Sequence, residues 1–108
     1  MTYKEIYEAL LETEYPVTVN FWEKDIPALP YIVIEYPENN DVTADDINYA
    51  NIVQVNIGLY TKRKDTTAET AVETVITKYF GAYFKTSEWV LNDHLQETIY
   101  TTEVVING

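Results

Sequence analysis

Two stretches of this chain carry apolar residues at helical spacing, and each is followed by runs in which apolar and polar residues alternate. That order constrains the fold more than any other feature, because neither pattern is stable until another element covers its apolar side. In the first stretch, Thr2-x-x-Glu5 has the spacing of a capping box. Tyr3, Ile6, Tyr7, Leu10 and Leu11 then recur on one side of a helix, while Lys4, Glu5, Glu8 and Glu12 point elsewhere. Pro16 stops the pattern and biases Tyr15 towards an extended conformation. The second helix is expected to begin at Asp65 or Thr66, with Thr66-x-x-Glu69 repeating the capping-box spacing. Ala68, Val72, Val75, Ile76, Tyr79 and Phe80 form its stripe, and Gly81 stands where a C′ glycine would end it.

The strand patterns fill the rest. Val17 to Phe21 alternates, and Pro27 and Pro30 mark a turn before Tyr31-Ile32-Val33-Ile34-Glu35-Tyr36, which Pro37 ends. From Tyr49 to Thr61, Val53, Val55, Ile57 and Leu59 alternate with Gln54, Asn56 and Gly58. At about 3.3 Å per residue this run outreaches a small domain's width, so its first part is expected to project as a hairpin arm with the end of the preceding strand. Tyr83 to Leu91 and Leu95 to Ile106 are further strands, joined by a turn at Asn92-Asp93-His94. Thr98, Tyr100, Thr102, Val104 and Ile106 share a face, as suits a partly exposed final strand. The expected fold is α+β in the order α-β-β-β-α-β-β, a mostly antiparallel sheet with two helices packed on one face, forming one domain over residues 1–108.

Composition narrows the function. A chain of 108 residues buries about 65% of its unfolded surface, and an apolar fraction of 46% is that of a folded protein. Ten tyrosines against three phenylalanines suit a thin core whose edges meet solvent or another subunit, since a tyrosine buries a ring and keeps a hydroxyl. The formal charge of −11 repels nucleic acid and anionic membrane, so no sequence-specific nucleic-acid binding is expected. The absence of cysteine excludes disulfides and thiolate chemistry. A helical pattern follows Met1 directly, with no apolar leader and no run of membrane-spanning length, so the chain is expected to remain where it is made.

Few residues invite chemistry. A nucleophile–base pair would need His94 and Ser87, the only histidine and the only serine, and nothing local joins them. His94 reads as a turn residue. Asp41, Asp45 and Asp46 lack the alternating ligands, central glycine and final glutamate of a calcium loop. With Glu38 they make residues 37–48 a solvated acidic excursion containing four carboxylates and no cation. No catalytic residue, metal site or cofactor is expected. Lys62-Arg63-Lys64, the only basic cluster, reads either as a polar connection or as a contact with the acidic surface of a second copy. Both tryptophans are expected to anchor the core by default, with Trp22, beside a proline-containing turn, the better interface anchor of the two.

Several runs carry a resemblance. Thr2-Tyr3-Lys4-Glu5-Ile6-Tyr7-Glu8-Ala9-Leu10, Tyr15-Pro16-Val17 with Phe21, Ile26-Pro27-Ala28-Leu29-Pro30-Tyr31-Ile32-Val33, Val55-Asn56-Ile57-Gly58-Leu59-Tyr60-Thr61-Lys62 before a helix, and a final Glu103-Val104-Val105-Ile106-Asn107 cover nearly the whole chain. Together they resemble small tail-completion, tail-terminator and head–tail joining proteins of tailed phages and prophages of Gram-positive bacteria. The resemblance implies a non-enzymatic structural subunit that caps the tail tube, as a hexameric ring, and joins tail to head. It implies as partners further copies of itself, the tail-tube protein and a head-completion or connector protein. The place it implies is the virion, after synthesis in the host cytoplasm. An acidic wall lets DNA slide through a ring without sticking. A head-to-tail ring contact pairs different patches, and here Lys62, Arg63 and Lys64 face Glu38, Asp41, Asp45 and Asp46 as opposite-charge candidates. The alternative is an acidic DNA mimic that inhibits a host nucleic-acid-binding protein. It would need carboxylates aligned on one face, and they are scattered along the sequence.

Overall fold

The computed structural model describes residues 1–37 and 51–106. Its elements run α1 (Tyr3–Leu11), β1 (Val17–Val19), β2 (Tyr31–Glu35), β3 (Asn51–Thr61), α2 (Thr66–Tyr79), β4 (Phe84–Val90) and β5 (Leu95–Ile106). The fold is α+β, in the expected order. The acidic positions Glu38, Asp41, Asp45 and Asp46 lie outside the described residues, as does Tyr49.

The first helix starts as its sequence predicts. Thr2 Oγ1 accepts from the Glu5 amide at 3.1 Å, and Glu5 Oε1 accepts from the Thr2 amide at 2.8 Å, which satisfies two donors that the first turn leaves unpaired. The second helix differs. Its N-cap is Asp65, whose Oδ1 accepts from the Ala68 amide at 3.0 Å. Thr66 is therefore already helical, and Glu69 is drawn away from the cap by two lysines instead of closing a box. At the far end Gly81 adopts a φ of 93°, and its amide reaches the Ile76 carbonyl at 2.9 Å. A left-handed backbone favours glycine there, as expected of a C′ position.

The five strands form one sheet in the order β1-β2-β3-β5-β4. All neighbours are antiparallel except β1 and β2, which run parallel, so the sheet is mixed. The parallel pair needs the chain to cross back, and residues 20–30 do so without a helix, entering β2 through Pro30. β3 pairs with β5 along its whole length, from Asn51 opposite Ile106 to Thr61 opposite Gln96. β2 reaches only as far as Asn56 on β3, and β4 only as far as Thr101 on β5. Among the described residues an arm of two strands therefore projects, and in it β3 is paired by the end of β5, while β2, expected as its partner, stops at Glu35. The pairing is non-local, and alternation alone does not choose between two strands of similar pattern.

Both helices lie on one face. Ile6, Ala9 and Leu10 of α1 and Ala68, Val72, Val75 and Ile76 of α2 close over Ile32, Ile34, Val55, Ile57, Leu59 and Tyr100, all buried. The shared face of β5 is thus core: Thr98, Tyr100 and Thr102 are buried because β5 sits inside the sheet between β3 and β4. The expectation of a partly exposed final strand fails for that face. Tyr3 and Leu11 of the first stripe, and Tyr79 of the second, are exposed at its margins. Trp89, expected to anchor the core, stands 47% exposed on the edge strand β4.

Ile57 lies at the centre of this packing, paired with Ile34 on one side and Tyr100 on the other. Ile57→Ala is expected to lower unfolding free energy by about 2–5 kcal/mol, measured by urea denaturation, whereas Ile52→Ala on the exposed face should cost less than about 0.5 kcal/mol.

Candidate interaction surface

The helices leave two kinds of surface on this sheet, one polar and internally satisfied, the other open. The first lies under α2. Lys85 projects from β4 onto the helix side and its Nζ donates to Glu69 Oε1 at 2.8 Å and to Glu73 Oε2 at 2.7 Å. The Tyr100 hydroxyl donates to the same Glu73 oxygen at 2.8 Å, and Lys64 donates to Glu69 at 3.1 Å. Burial pushes the Glu69 and Glu73 carboxyls up, and the hydrogen bonds from Lys85, Lys64 and Tyr100 outweigh it, so both rest below the ordinary value. The same two glutamates hold the Lys85 ammonium above its ordinary value. Burial, and then the bond to Glu73, raise the Tyr100 phenol. Every side chain in the cluster has a partner, so the arrangement ties β4 to α2.

The Lys62–Lys64 turn is exposed between β3 and α2. Its three cations are not equivalent. Lys64 is held by the buried Glu69, while the Arg63 carbonyl accepts from the Thr61 hydroxyl at 2.6 Å. Lys62 and Arg63 make no ion pair among the described residues. The turn follows Thr61 at one end of β3, whereas Asn51, the first described residue after the acidic segment, stands at the other end.

The helix-free face carries an aromatic row. Tyr31 and Tyr60 are register partners and stack with ring centroids 5.4 Å apart, and Trp22 meets Tyr31 edge-on at 5.8 Å. The Tyr60 hydroxyl donates to Glu97 Oε2, 2.7 Å away on the next strand. Burial first, and then that carboxylate, raise the Tyr60 phenol. A methyl group on Gly58 would sit 3.0 Å from the Tyr60 ring, so this glycine serves as the space the ring leans into. Trp22 is half-buried, and among the described residues its indole N–H has no acceptor, nor has the Tyr36 hydroxyl a partner. Burial lifts Tyr36 to about 12. Beyond the row the face is open: Ile52 and Val105, opposite each other on the arm, are 59% and 45% exposed.

The edge of the sheet at β4 is barer still. Phe84 is 79% exposed, and Leu91, just past the strand, is also exposed. An open cleft of about 690 Å³ runs beside it, lined by Phe80, Ala82, Tyr83, Phe84, Thr101 and Glu103. Sequence reasoning missed this edge, although Phe84–Val90 reads Phe-Lys-Thr-Ser-Glu-Trp-Val, with no apolar alternation and therefore no face fit for a core. The Ser87 hydroxyl pairs with Thr98 at 3.3 Å, and His94 occupies the β4–β5 turn with a φ of 52°. No group of three or more histidine, aspartate or glutamate side chains converges as a metal site among the described residues, and no helix among them is long and apolar enough to cross a membrane. The chain matches no protein-family model, and a search of curated proteins returns no match.

The acidic cluster makes a signed prediction. Carboxyls held below 4.5 in the fold contribute stability above that value and lose it as pH falls through their folded values. Lys85→Met takes from Glu73 its only ammonium and from Glu69 one of two, and should cost about 1–3 kcal/mol near pH 7. Urea denaturation at several pH values should show that deficit shrinking below about pH 4.5, once the orphaned carboxyls protonate. A deficit independent of pH would mean that the Lys85 stem, not its charge, matters.

Proposed function

We propose that this chain is a structural subunit of a tailed-phage particle that caps the tail tube and joins tail to head as a ring. Its partners in this reading are copies of itself, a tail-tube protein and a head-completion or connector protein. The observation that carries the reading is a sheet whose core cluster lies on the helix side, while the other face is covered only in part, by the Trp22–Tyr31–Tyr60 row. The other face, the arm and the β4 edge expose Ile52, Val105 and Phe84. Exposed apolar groups gathered at edges suit a subunit whose surface is completed on assembly. The resemblance of the Thr2–Leu10 and Ile26–Val33 runs supplies the identity of the assembly. A net charge of −11 is compatible with a ring that DNA traverses without binding. The DNA-mimic alternative gains less support, since Glu12, Glu69 and Glu73 bond to lysines of the same chain.

The test is electron microscopy of lysates after the gene is disrupted in the phage or prophage that carries it. Filled heads with detached or overlong tails are expected, and normal infectious particles would remove the reading. For the basic turn, reversal is best confined to Lys62 and Arg63, because Lys64 neutralises the buried Glu69. The Lys62→Glu/Arg63→Glu variant is expected to keep its melting temperature within about 2–4 °C and to bind purified tails or assemble into rings at least about tenfold more weakly. Unchanged assembly would take the turn out of the interface.

A further inference from the structure

The outer edge of β4 is unlike the other edge of the sheet. β1 is three residues long and follows Pro16, two devices that protect a strand from pairing with another chain. β4 has seven residues, no proline and no bulge in its register with β5. Its only cation, Lys85, is bound to Glu69 and Glu73 and does not guard the edge. All but the last of its residues are exposed, and among the described residues no segment lies along its outer side.

The hydrogen-bonding direction of each residue follows from the register. Ile32 donates to the Pro16 carbonyl and the Ile34 carbonyl accepts from Asn20, so these two residues of β2 bond towards β1. Tyr31, Val33 and Glu35 therefore bond towards β3, and alternation carries the parity across Tyr60, Gln96 and Leu95 to β4. Phe84, Thr86, Glu88 and Val90 bond inward to β5. Lys85, Ser87 and Trp89 direct their amides and carbonyls out of the sheet.

We propose that this edge pairs with the same edge of a second copy, antiparallel about a two-fold axis through Ser87, joining two five-stranded sheets into one. In that register Ser87 faces its own counterpart and Lys85 faces Trp89, so all the outward amides and carbonyls of the three residues are satisfied. On the helix side each Trp89 ring covers a Lys85 stem, and on the open face Phe84 meets Val90 and Thr86 meets Glu88. No like charges oppose. Moving the axis to Glu88 sets that carboxylate against its own copy. Moving it to Thr86 sets Phe84 against Glu88 and leaves Trp89 opposite Tyr83, outside the strand. The edge is thus complementary to itself in one register. Such a contact closes at two copies, so it is distinct from the head-to-tail contact of a ring and does not rest on the phage role.

Sedimentation equilibrium of the full chain tests it. The mass should rise with concentration from 12.5 kDa towards twice that value. Ser87→Pro removes an outward amide at a position where an edge strand tolerates proline. It should weaken the dimer more than about tenfold with the circular-dichroism spectrum retained. Register is read by disulfide trapping, since the chain has no cysteine of its own. Thr86 and Glu88 become a non-hydrogen-bonded pair across the axis, with Cα atoms about 4.5 Å apart, within disulfide range. A mixture of Thr86→Cys and Glu88→Cys chains should cross-link to each other faster than either to itself. A monomer at every concentration would overturn the proposal and leave the edge to a strand of another protein. So would an oligomer indifferent to Ser87→Pro, or equal trapping in all combinations.

Discussion

The pairing of β3 with β5 is the contact on which the rest of this structure depends. It joins Asn51–Thr61 to Gln96–Ile106 without a break, across the 34 residues (62–95) between them. Because side chains alternate, one decision about register places Val53, Val55, Ile57 and Leu59 on the same side as Thr98, Tyr100, Thr102 and Val104. That shared side is the floor on which both helices sit. A slip of one residue would turn the entire floor to solvent, and neither amphipathic helix would have anything to cover.

The floor is not wholly apolar, and its one polar cluster has a structural purpose. Tyr100 brings a hydroxyl into the core, and Glu73 receives it together with Lys85. A carboxylate as buried as that of Glu69 is tolerable only because two ammonium groups reach it. The cluster consequently fixes the angle of α2 over β5 and β4 and ties in an edge strand that has almost no apolar burial of its own. It also takes Lys64 out of the basic turn as a free cation, so that Lys62 and Arg63 are the turn's cations without an ion pair among the described residues.

What remains open follows from the same geometry. Two short helices cannot cover both faces of a five-stranded sheet, so the face bearing the Trp22–Tyr31–Tyr60 row and the arm tip at Ile52 and Val105 are left to solvent or to assembly. The high tyrosine content becomes intelligible here. Tyr31 and Tyr60 roof a sheet face with rings while Tyr60 keeps a hydroxyl for Glu97. The reading of the chain as a subunit of a larger particle draws on this uncovered surface and on the sequence resemblance, and on no catalytic feature.

Much of this was legible in the residues. The Thr2–Glu5 box, Pro16 and Gly81 bound the helices through local backbone chemistry, and alternation marked the core face of β3. The Lys62–Lys64 turn between strand and helix was equally readable from its place in the pattern. The sequence could not say that β1 runs parallel to β2, that the end of β5 pairs β3 in the arm, or that Trp89 stands at an edge while Tyr100 is buried. Nor could Thr66-x-x-Glu69 be told from a true capping box until Lys64 and Lys85 claimed the carboxylate. The physical reason is the same in each case. Caps, breakers and periodicity act within a few residues and are written where they act. Strand order, edges and buried ion pairs depend on which distant segments meet, and only the packed chain decides that.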